Sequence, residues 1–66
     1  GGGVYYQPWD TVPCDTVWSG VTNYPKSYKV YVNTGDVDMC YVSLEDDNLN
    51  HYPETSPTWW LNIGET

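Results

Sequence analysis

YKVYVNTGDVDMCYVSL, residues 28–44, is the stretch on which the fold turns. In YKVYVN (28–33), Tyr28, Val30 and Val32 alternate with Lys29, Tyr31 and Asn33. This period of two marks a strand with one apolar face. Asn33-Thr34-Gly35-Asp36 supplies turn chemistry, with Gly35 at the position that needs a positive φ. VDMCYVSL (37–44) returns as a second strand, Val37, Met39 and Tyr41 on one face and Cys40, Val42 and Leu44 on the other. Both faces are apolar, so this strand is expected in the middle of the sheet. WWLNI (59–63) reads as a third strand closed by Gly64.

The segments on either side are punctuated differently. WSGVTNYPKS (18–27) is loop chemistry carrying Trp18, Val21 and Tyr24 as anchors. EDDNLNHYPETSPT (45–58) holds two Pro and four acids and is expected to form no regular element. Residues 1–17 read as an extended arm, flexible at GGGV and stiffened by Pro8 and Pro13. Its Tyr5, Tyr6 and Trp9 are too apolar for an idle tail and are expected to dock on something, a neighbouring subunit before the chain's own module. The expected fold is all-β: a small three-stranded antiparallel sheet with long loops, spanning 18–66, behind an N-terminal arm. Expected to be buried are Trp18, Tyr24, Val30, Val32, Tyr41, Val42 and Trp60.

At 66 residues the chain holds one domain at most, and a chain of this size buries only about 60% of its unfolded surface. Small scaffolds of this kind rely on a staple, a metal or a partner. Cys14 and Cys40 are the only cysteines; one disulfide and two buried thiols both fit. A bridge there would contribute roughly 3 kcal/mol. The chain begins without Met, which fits either removal of the initiator or a piece of a longer product. No signal peptide is visible.

Charge narrows the partners. The net charge is −7, there is no Arg, and Lys26 and Lys29 are the only Lys. Nucleic acid and anionic membranes both select clustered cations, so neither is expected as a partner. No apolar run approaches the roughly 20 residues that span a bilayer.

Catalysis is not expected. His51 is the only His and sits in the polar loop, where a solvated side chain is the simple reading. The Ser and Cys residues have no nucleophile motif around them. The acid groups Glu45-Asp46-Asp47 and Asp36/Asp38 would need a deep cleft for glycosidase chemistry, and a three-stranded module is too small to form one. Asp46, Asn48 and Asn50 begin like a calcium loop, but His51 stands where Gly is required and Pro57 where the final Glu is required. No metal, cofactor or catalytic residue is expected. The strongest signal is aromatic: four Trp and seven Tyr, no Phe, a choice that suits half-wet positions and interfaces. Trp59 and Trp60 are adjacent, so a strand sends one to the core and the other outward. Trp60 is assigned to the core, and Trp59, Tyr52, Glu45 and Asp46 are the candidate glycan- or partner-binding residues.

The order Trp18, Tyr24-Pro25, YKVYV (28–32), YVSL (41–44), Pro53-Glu54-Thr55-Ser56-Pro57, Trp60 and Gly64 resembles the chitin-binding type of carbohydrate-binding module, families five and twelve. It is similar to the versions found in phage tail-fibre and other virion proteins. The resemblance covers residues 18–64 and implies a compact three-stranded module in which Trp18, Tyr41 and Trp60 are core. Chitin-binding members tend to carry a surface aromatic pair after the strand matching 41–44, where this chain has Glu45 and Asp46. Carboxylates cannot stack on a pyranose face, so the resemblance implies the fold more directly than chitin binding. Residues 1–17 have no counterpart. The expectation is a non-catalytic virion accessory protein (decoration, fibre or tail component) whose partners are capsid or tail proteins and, in addition, a host surface glycan. The alternative is an extracellular chitin- or cellulose-binding module of a secreted polysaccharide hydrolase.

Overall fold

The structure, a computed structural model, describes residues 13–66; Tyr5, Tyr6 and Trp9 lie outside them. The alternating segment forms an antiparallel hairpin. Strand β2 is Lys29–Asn33 and strand β3 is Asp38–Ser43, paired from Lys29↔Val42 to Asn33↔Asp38. Ser27 N–H to Ser43 O and Ser43 N–H to Tyr28 O, each 2.8 Å, carry the pairing beyond the strand ends. Gly35 takes φ 108°, a conformation any Cβ would strain. Thr34 N–H donates to Val37 O at 2.9 Å, and the Asn33 side chain accepts from Gly35 N–H at 3.1 Å.

β3 is the central strand, in the order β2-β3-β5, with β5 at Trp60–Glu65. Its residues Cys40, Tyr41, Val42 and Ser43 are all buried, as a strand covered on both faces requires. β5 does not stop at Gly64. The register steps from Tyr41↔Asn62 to Cys40↔Gly64, so β5 carries an extra residue there, and Gly64 sits at φ 99°. This bulge lets the strand continue to Glu65. The Asn62 side chain accepts from Gly64 N–H at 2.8 Å, so a backbone donor on the bulged strand is used within the chain.

One short pairing and one 3₁₀ turn break the expected loops. β1, Asn23–Tyr24, pairs antiparallel with β4, Asn48–Leu49, and Pro53–Thr55 forms a 3₁₀ turn. The expectation of no regular element in 45–58 is therefore corrected. Pro53 opens the turn with φ preset and no N–H to lose, and Tyr52 O accepts from Thr55 N–H at 3.1 Å.

The core lies on one face of the sheet, where Tyr24, Val30, Val32, Tyr41 and Trp60 pack together, with Trp18, Met39 and Trp59 partly buried against them. Tyr24 meets Trp60 near-perpendicular at 5.4 Å and its hydroxyl accepts from Ser19 N–H at 2.9 Å, so its polar atom is satisfied. Trp18, expected in the core, is at its margin instead. Val42 is fully buried on the opposite face, beside Cys40. There Cys14 and Cys40 are joined in a disulfide. Residues 13–17, read above as the end of the arm, are held to the module. Tyr31 N–H donates to Thr16 O at 2.8 Å, Trp18 N–H donates to Tyr31 O at 3.0 Å, and Val17 runs parallel beside Tyr31. This segment lies along the β2 edge of the sheet.

Candidate functional site

The aromatic residues divide by their neighbours. Trp60 is buried, and its indole N–H donates to His51 O at 2.7 Å. Trp59 is only partly buried, but its ring is not open: the His51 imidazole stacks on it, centroids 3.8 Å apart and planes 10° from parallel. A ligand using that face of Trp59 would displace His51. The reading of His51 as a freely solvated loop residue is corrected, because its ring covers an indole and its carbonyl fixes the adjacent one.

Tyr52 and Tyr28 are the exposed aromatic rings of the described residues. Tyr28 leans on Tyr24 at 5.3 Å. Tyr52 is 39% exposed and meets Trp18 near-perpendicular, 5.1 Å between centroids and 82° between planes. Its hydroxyl donates to Glu54 Oε1 at 3.4 Å. Burial and the nearby Glu54 carboxylate raise the Tyr52 phenol above its ordinary value, with a smaller contribution from Tyr41. Tyr41 is raised too, first by burial and then by Glu54, while the Asn62 amide, 3.5 Å from its hydroxyl, acts the other way. Tyr41, Tyr52, Glu54 and Asn62 therefore converge from β3, the loop, the 3₁₀ turn and β5. No sequence motif joins them; only the packing of the 3₁₀ turn on β5 does.

Glu45 and Asp46 lie elsewhere. Glu45 is exposed, and its backbone carbonyl accepts from Ser43 Oγ–H at 2.8 Å. Asp46 Oδ1 accepts from Lys26 N–H at 3.0 Å, which ties the loop after β3 to the turn before β2. Asp46 and Asp47 line a shallow pocket of about 350 Å³ with Asn23 and Pro25. Of the four candidate residues, Tyr52 and Trp59 are presented on the Trp18 and His51 sides of the core, while Glu45 and Asp46 belong to the loop after β3. Asn48, which the calcium comparison placed among possible ligands, is buried and donates through Nδ2 to Ser43 Oγ at 3.0 Å and Trp59 O at 3.1 Å. It is a structural cross-link. Among the described residues no three His, Cys, Asp or Glu side chains gather as a metal site, and no helix is long and apolar enough to cross a membrane.

Beside the Cys14–Cys40 bridge, Pro13 and Cys14, where the arm joins, line a groove of about 390 Å³ with Lys29, Cys40, Ile63, Glu65 and Thr66. Compared with protein-family models, curated proteins and solved structures, the chain matches none.

Proposed function

We propose that this chain is a non-catalytic accessory component of a phage particle that acts by protein contact through its N-terminal arm. The observation that carries this reading is the anchoring of the arm's root. Cys14 is bonded to Cys40 on the central strand, and Thr16 and Trp18 hydrogen-bond to Tyr31. A contact made by Tyr5, Tyr6 and Trp9 would then be transmitted to the middle of the sheet. A disulfide persists outside reducing compartments, which fits a particle surface or an extracellular setting. The net charge of −7 disfavours self-association and favours a less acidic partner.

A second reading, a carbohydrate-binding module of a secreted polysaccharide hydrolase, is favoured by the exposed Tyr52 ring, which offers a stacking surface. Against chitin as its ligand stands the Asp46 carboxylate, engaged by Lys26 N–H where chitin-binding modules tend to carry an aromatic. The deciding experiment is peptide identification on density-banded particles from the source culture. Peptides of this chain in constant ratio to the major shell or tail protein support the first reading. Their confinement to the particle-free fraction, in a longer hydrolase chain, replaces it with the second.

A further inference from the structure

We propose that Tyr52, Glu54 and Asn62, backed by Tyr41, form a subsite for one neutral sugar ring of a glycan, with Tyr52 as the stacking surface and Glu54 and Asn62 as hydroxyl partners. This inference rests on the glycan-binding reading above.

A pyranose presents an apolar C–H face and a rim of hydroxyls that both donate and accept. Its binding site needs a planar ring held at a fixed angle, with acceptors and donors at the ring's edge. Tyr52 is such a ring: it is partly exposed, and Trp18 holds it near-perpendicular at 5.1 Å, so little ordering remains on binding. The edge is supplied by three other segments. Glu54 brings acceptor oxygens, Asn62 a side-chain N–H donor (its oxygen is taken by the Gly64 N–H), and Tyr41 a hydroxyl.

These groups are only loosely satisfied by one another. Tyr52 to Glu54 spans 3.4 Å and Asn62 to Tyr41 spans 3.5 Å, the long limit for a hydrogen bond. A ligand hydroxyl could replace either at small cost. The single carboxylate and the acidic chain favour a neutral glycan over an acidic one.

The test is native gel electrophoresis of the full chain through gels containing hydroxyethyl cellulose, glycol chitin, mannan or starch, each a neutral polymer. At least one should slow the parent. Tyr52→Ala and Glu54→Gln should each weaken that retardation about tenfold or more, and Tyr52→Phe should preserve it. Leu61→Ala, on the exposed part of β5, should leave it unchanged, and the Glu54→Gln melt should match the parent. Retardation that survives both Tyr52→Ala and Glu54→Gln overturns this site while leaving glycan binding in place. Absence of retardation by every polymer overturns the glycan reading itself and this site with it.

Discussion

The imidazole of His51 lies flat on the indole of Trp59, ring centroids 3.8 Å apart, while the carbonyl of the same residue accepts from the Trp60 indole at 2.7 Å. One loop residue thus holds both members of the Trp pair, one by its side chain and one by its backbone. His51→Ala removes the stack and keeps the carbonyl. An aromatic pair is worth about 0.5–1.5 kcal/mol beyond its buried area, so the melt should fall by a few degrees, about 4–8 °C per kcal/mol at this size. Trp59 emission should shift to the red as its face meets water. Trp60→Phe keeps most of the core volume but strands the His51 carbonyl, and should cost about 1–3 kcal/mol more than the lost area alone. Equal melts for His51→Ala and the parent would remove the stack from the stabilising contacts.

The hairpin was legible in the sequence because its pattern is local: Val30 and Val32 alternate, and Gly35 sits where the turn needs a positive φ. The central place of β3 followed from its two apolar faces. What stayed hidden depends on distant partners. Asn48 sits in the acidic run EDDNLN and reads as solvated, yet it is buried because Ser43 and the Trp59 carbonyl happen to face it. The continuation of β5 through Gly64 needed the side chain of Asn62 to receive the displaced N–H. The cluster around Tyr52 was half visible, since Tyr52 was a candidate, but Glu54 and Asn62 join it only through the packing of the 3₁₀ turn on β5.

Asn48 offers a sharper test of the loop. Its Nδ2 donates to two acceptors, Ser43 Oγ and Trp59 O, and the residue is 1% exposed. Asn48→Ala loses both bonds and leaves the Trp59 carbonyl with Leu44 N–H as its remaining donor, at 2.9 Å. Asn48→Asp is worse, because it places a carboxylate oxygen against that carbonyl and buries a charge. A cost of about 3 kcal/mol or more is expected for Asp, and less for Ala. Urea unfolding followed by Trp emission ranks the two; an Asp variant as stable as the Ala variant would show that the loop opens to solvate the charge.

The Cys14–Cys40 bridge closes 26 positions and should contribute about 3 kcal/mol. The paired variant Cys14→Ser with Cys40→Ser should melt well below the parent, with faster amide exchange at Trp18 and Tyr31, whose pairing lies beside it. Deleting residues 1–12 keeps the bridge and should leave the melt close to that of the full chain, while removing the aromatic contacts proposed for docking. Unfolding of the truncated chain, with a monomeric and stable full chain, would place residues 1–12 in the core and end the docking reading.

Tyr41 predicts how the module responds to alkali. Burial disfavours its phenolate, Glu54 adds repulsion and the Asn62 amide offsets part of this, so its folded pKa stands above the ordinary 10.0. In the unfolded chain the phenol titrates near its free value of about 10. Below that pH both states keep the proton and the contribution to stability is complete. As pH rises past it, the unfolded chain releases a proton that the folded chain retains, so unfolding becomes favoured and stability falls through the folded pKa. Thermal melts from about pH 8 to about pH 11.5, bracketing that value, should therefore show the parent losing stability on the alkaline side. Tyr41→Phe should lose less over the same range, at a small cost near neutrality, since the bond it gives up to Asn62 is 3.5 Å long. Glu54→Gln should fall between the two, because it removes the repulsion and leaves the burial. Parallel alkaline slopes for the parent and Tyr41→Phe would mean that this phenol ionises as readily in the folded module as in the unfolded chain.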